Sequence, residues 1–227
     1  MQLLLRVVLL LLTANVGISA TAQTKVVPLQ KRIVAMPNNP SLYEYTPAAG
    51  DVLIYEVTPP LGAKYTFTVA LQRYETDPDA AHPFPIAFKW KMGSPINSSG
   101  SVEICNSCYE KATKYVNYFT NGSQLKLTDA SSVFMSGFNY VEPEQNEEKK
   151  TEMQMDGSAI TFYDLLGYQS FPVKVGNRTI NLLSKHFNNS RRLDGDNSVV
   201  VQVGDNRLIL EMALGFSITL KEIRAGN

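Results

Sequence analysis

The sequence predicts a mainly β fold, an antiparallel sandwich or a strongly curved sheet packed on one principal α-helix at about residues 108–120. Three observations lead there. Apolar residues recur at every second position through much of the chain, turn-forming residues separate those runs, and a single stretch carries apolar residues at helical spacing. Successive strand residues point to opposite faces of a sheet, so alternation of period two means one buried face and one wet face, as in antiparallel pairing.

The first strand runs from Val52 to Thr58, and Pro59-Pro60-Leu61-Gly62 then reverses the chain into a second from Lys64 to Gln72. Such a Pro/Gly cluster between two periodic runs predicts a hairpin. In its second arm Tyr65, Phe67, Val69 and Leu71 point to a core, while Lys64, Thr66, Thr68 and Gln72 point away. A long loop over 76–85 contains Asp77, Pro78, Asp79, Pro83 and Pro85. Ile86, Phe88, Trp90 and Met92 then alternate with Ala87, Lys89, Lys91 and Gly93.

The predicted helix places Tyr109, Ala112, Val116 and Phe119 on one stripe. Ser107 with Glu110 reads as a capping box at its start, and Asn121-Gly122 as its stop. Residues 141–150, rich in Glu, Gln and Asn, read as an exposed loop and the best candidate boundary within a chain otherwise taken as one β-rich domain, 23–227, with two lobes as the alternative. Val173-Lys174-Val175 and Ile180 to Leu183 flank Gly176-Asn177 and predict a further hairpin. The tail reads as a three-stranded meander through Val199, Val201 and Val203, then Leu208, Leu210 and Met212, then Phe216, Ile218 and Leu220.

Residues 1–22 have the organisation of a signal peptide: Arg6 in a thin positive region, an apolar run from Val7 to Leu12, and Ala20-Thr21-Ala22 as the small-residue cleavage pattern. Export to the periplasm or the extracellular space follows as an expectation, with a mature chain starting at Gln23. No later segment approaches the ~20 apolar residues of a membrane span, so no stable span is expected after cleavage. The 21 basic and 21 acidic residues balance, and the pairs Arg191-Arg192 and Lys149-Lys150 are isolated. That offers little electrostatic reason to bind nucleic acid.

One motif carries chemistry. Cys105-Asn106-Ser107-Cys108 is a C-x-x-C at the start of the predicted helix, where the helix dipole would favour a thiolate. Thiol–disulfide exchange of the thioredoxin kind requires a strand–helix–strand setting with parallel pairing, so in an antiparallel meander Cys105 and Cys108 read first as a structural pair and second as a redox pair. His82, in a Pro-rich loop, and His186, beside Phe187-Asn188-Asn189, are the only histidines and read as surface or turn residues. Motifs of the common hydrolases and of nucleotide sites are missing. Asp194-Gly195-Asp196-Asn197 lacks the ligand spacing of a calcium loop and reads as a turn. No catalytic residue, metal site or cofactor is therefore expected. Sequons at Asn97, Asn121, Asn177 and Asn188 would be glycan acceptors only in a eukaryotic host.

A resemblance is carried by Gly100 to Ile104 running on through Lys114-Tyr115-Val116-Asn117-Tyr118-Phe119, then Leu127-Thr128-Asp129 and Ser132-Val133-Phe134-Met135-Ser136, and the closing Leu214 to Ile223. Together they resemble uncharacterised exported β-rich proteins of Gram-negative bacteria. That resemblance implies a bacterial, exported β protein and no particular activity. The leading functional expectation is an exported, non-catalytic binding or structural module whose partner is a protein, a glycan or an apolar ligand. A carrier holding an apolar ligand between curved sheet and helix is the alternative. A thiol–disulfide protein using Cys105 and Cys108 comes third.

Overall fold

Alternating segments join edge to edge into one continuous mixed sheet, seen in a computed structural model that describes residues 27–76, 82–190 and 197–226. The leader with its cleavage site, Asp77-Pro78-Asp79, Arg191-Arg192 and Asp194-Gly195-Asp196 lie outside the described residues. A short tight-helix turn leads into β1 (Ile33–Met36) and β2 (Asn39–Tyr45). An antiparallel meander follows, made of β3 (Asp51–Thr58), β4 (Tyr65–Tyr74), β5 (Ile86–Met92) and β6 (Ser98–Ile104). After α1 (Asn106–Lys111) come the short strands β7 (Lys114–Tyr115), β8 (Gln124–Leu127) and β9 (Ala130–Ser131), and then α2 (Gly137–Gln145). The chain closes with β10 (Lys150–Met155), β11 (Thr161–Val175), β12 (Arg178–Asn189), β13 (Asn197–Gln202), β14 (Ile209–Leu214) and β15 (Ser217–Ala225).

The order across the sheet is β8-β6-β5-β4-β3-β15-β14-β13-β12-β11-β10-β7-β9. Its curvature is visible at β15, whose one edge pairs with β3 along its length. The other edge pairs with β14 over residues 217–219 and with β11 at Glu222 and Ile223. Strands β11 to β15 thereby return on themselves, and bulges in β11, β13–β14 and β15 bend the strands enough to allow it. The main core lies on one face and includes Leu53, Phe67, Val69, Trp90, Leu182, Val200 and Leu220. A second core, with Tyr115, Met153, Tyr163, Phe187, Val199 and Val201, lies on the other. Neighbours along β13 thus enter opposite cores, and it is buried on both faces, as its run of three valines suggests.

The alternation read from the sequence holds where it was cleanest. Phe67, Val69 and Leu71 are buried, as are Ile86, Phe88, Trp90 and Met92, and the C-terminal meander forms. The hairpin around Gly176-Asn177 forms as well, extending to fifteen and twelve residues in its two arms.

Three expectations are corrected. The helix expected over 108–120 is only Asn106–Lys111, and Ala112 is already extended. Tyr115 needs the strand geometry that follows, because its buried hydroxyl reaches Asn139 at 2.7 Å. Residues 114–115 therefore pair with β9 and β10 instead of continuing the helix. The cap is Cys105, whose Sγ accepts from the Cys108 amide at 3.1 Å, whereas Glu110 leaves the expected box to pair with Arg207 at 2.9 Å. Of residues 141–150 only 146–149 form a loop. Residues 141–145 are the second half of α2, which is capped by Ser136 Oγ on the Asn139 amide and held to the sheet by Asn139 on Thr151 and the Glu152 carbonyl. Lastly, His186 is no turn residue but a half-buried member of β12, opposite Gly167 and Val200.

Candidate functional site

At one end of the sheet the β3–β4, β5–β6 and β14–β15 turns come together, bringing Pro59, Pro60, Ile96 and Phe216 around the mouth of an apolar groove. Register explains the walls. Val57 lies directly opposite both Ile218 and Tyr65, and Phe67 opposite Met92, so these side chains share one face across four strands. The groove encloses about 520 Å³, and Asn117 and Asp156 are its only non-apolar, non-tyrosine lining residues. A small inner pocket that shares Phe67, Asn117, Phe119 and Ile218 reaches towards Tyr55 and Met212.

The cover is not the predicted helix but the extended strap of residues 116–120. Phe119 is its anchor, stacked on Phe67 at 5.7 Å and on Trp90 at 5.2 Å between ring centroids. At one end Asp156 Oδ1 accepts from the backbone amides of Asn117 (2.6 Å) and Tyr118 (3.1 Å). At the other, Asn121 Oδ1 accepts from the Ser99 amide and the Ser99 carbonyl accepts from Gly122. Between these fixed points Tyr118 stands 78% exposed over the mouth and Ile96 is 50% exposed across from it. Burial pushes the Tyr65 phenol up from its ordinary value, with Tyr118 adding to the shift, so that tyrosine is uncharged at neutral pH.

Cys105 and Cys108 lie away from this groove and are joined by a disulfide, with 5.1 Å between their Cα atoms. Cys108 is buried with its Sγ at the Leu127 carbonyl. His82 accepts from the Phe84 amide at Nδ1 and contacts Arg73, which organises its loop. Burial lowers the His186 pKa below its ordinary value, against a smaller opposing pull from Glu211. Among the described residues no three His, Cys, Asp or Glu side chains gather as metal ligands. A second, polar cleft of about 350 Å³ lies by Tyr109, Glu110, Tyr140, Asp205 and Arg207. Arg207 is occupied there, stacked 3.9 Å from the Tyr109 ring and paired with Glu110. Of the sequon residues, Asn97, Asn121 and Asn177 are exposed at turns, and Asn188 is buried in β12.

Sequence reasoning placed Tyr65, Phe67, Met92 and Ile218 on strands but missed Ile96, Asn117, Tyr118 and Asp156 as parts of a site. The available signal was the Tyr118-Phe119 pair just before Asn121-Gly122, which suits an extended segment ending in a turn as well as it suits a helix. No family model matches the chain, and neither a curated protein nor a solved structure matches it.

Proposed function

We propose that this is an exported, non-catalytic carrier that holds an apolar small molecule in the groove between the sheet and the 116–120 strap. The observation that supports the reading is the groove itself: about 520 Å³, walled by aromatic, aliphatic and proline side chains. Ligand clefts commonly fall between ~300 and ~1,000 Å³ with mostly apolar walls and a few polar groups at one place. Burying a ligand there would stabilise by about 25 cal/mol for each Å² of apolar surface removed from water. The compartment is part of the proposal and rests on the leader sequence.

The test is titration of the mature chain with a neutral apolar dye, N-phenyl-1-naphthylamine, followed by direct excitation of the dye. Saturable binding of one dye per chain is expected, weakened at least ~10-fold in Ile218→Trp, whose larger ring fills the groove from a half-buried position. The absence of saturable binding, or equal binding by a folded Ile218→Trp protein, would overturn the reading.

A further inference from the structure

Resting on the carrier reading, we infer that the ligand is an amphiphile with a hydrogen-bond-donating, preferably cationic, head group, and that Asp156 selects it. The groove lining contains one ionisable carboxylate, Asp156, and no lysine, arginine or histidine. Among the described residues no ion pair involves Asp156. Its Oδ1 is committed to the two strap amides, while Oδ2 has only a long 3.4 Å contact from Asn117 Nδ2. One carboxylate oxygen is thus left with accepting capacity beside an apolar wall.

A carboxylate accepts hydrogen bonds and cannot donate them. A ligand whose apolar body lies along Val57, Phe67, Met92 and Ile218 and whose head emerges by the strap meets this oxygen. An ammonium or hydroxyl head gains an acceptor there. A carboxylate head, as in a fatty acid, meets a like charge with no cation among the lining residues to offset it, which is disfavoured. The residue is exposed, so the preference is modest and falls with salt.

The experiment compares dodecylamine, dodecanol and dodecanoic acid, each below its micelle concentration at neutral pH and low salt, as competitors of the bound dye. The expected order is amine, alcohol, acid, with the amine on the order of ten-fold tighter than the acid and the gap narrowing in high salt. The discriminating variant is Asp156→Asn. Position 156 has a left-handed backbone (φ 48°), which asparagine tolerates, and the amide oxygen still accepts from the strap, so the groove keeps its shape. In that variant the amine and the acid should bind equally. Failure of all three to compete would overturn the carrier reading and this inference with it. Acid binding as well as amine in the wild-type chain, or a preference that persists in Asp156→Asn, would overturn the head-group assignment alone and leave the groove as a binding site.

Discussion

Asp51 shows how one side chain ties distant segments together. Its carboxylate accepts a guanidinium bond from Arg32 at 2.6 Å, the Tyr45 hydroxyl at 2.7 Å and the Ala48 amide at 2.9 Å, with Asp51, Arg32 and Tyr45 all buried. Arg32 also donates to the Val27 and Thr46 carbonyls, so the chain before β1 is pinned to the start of β3. Removing one member of a buried pair leaves the other charge unpaired, and Asp51→Ala should cost about 3–5 kcal/mol by chemical denaturation. A change under ~1 kcal/mol would show the pair to be solvated. Gly100 is constrained by space instead. A Cβ there would sit 2.3 Å from the Ser123 carbonyl oxygen and 2.7 Å from the Trp90 ring. Gly100→Ala should therefore destabilise by about 1–3 kcal/mol and shift the emission of Trp90, the single tryptophan. Unchanged emission and stability would mean that the β5–β6 pair relaxes freely.

Among the elements, those legible in the sequence were the ones whose partners lie next to them in the chain. β3 to β5 and β13 to β15 were read closely because hairpin pairing, turn chemistry and alternation all state the same thing locally. The misread elements are those decided from afar. Tyr109, Ala112, Val116 and Phe119 are spaced for a helix, yet Tyr115 and Phe119 find their partners in α2, β4 and β5, and that packing outweighs a weak helical preference. In α2 the Glu-rich face hides its contacts: Lys185 is buried against Tyr140 and paired with Glu144 at 3.1 Å, a contact between residues 41 apart in sequence that no local pattern announces. The groove was half legible for the same reason, its strand walls being periodic and its strap not. α1 is short and closed by its own disulfide, so it is expected to be replaceable as chemistry. Cys105→Ser with Cys108→Ser should cost no more than ~2 kcal/mol, since a ring this small removes little unfolded-state entropy, and dye binding should be unchanged. Loss of dye binding in a folded double variant would tie the disulfide to the site.

For the whole molecule, the half-buried His186 links stability to pH. Burial lowers its pKa below 6.5 in the folded chain, so below that pH the unfolded chain takes up the proton more readily. Its contribution is therefore complete above pH 6.5 and declines as pH falls towards the lowered value; His186→Gln should flatten the stability profile below pH 6.5. An unchanged slope in urea titrations across that range would assign the dependence elsewhere. The global pairings were the least legible feature, because the parallel contacts of β2 with β12 and of β11 with β15 leave no signature at either strand alone. β15 has a consequence in time as well as in space. It is the last strand in chain order, yet it occupies the middle of the sheet, between β3 and β14 and against β11. A chain delivered from its N-terminus must keep the edge of β3 unpaired until β15 emerges. During that interval the open edge is a place for premature self-association or for a chaperone to hold. The molecule is thus arranged to complete its sheet late.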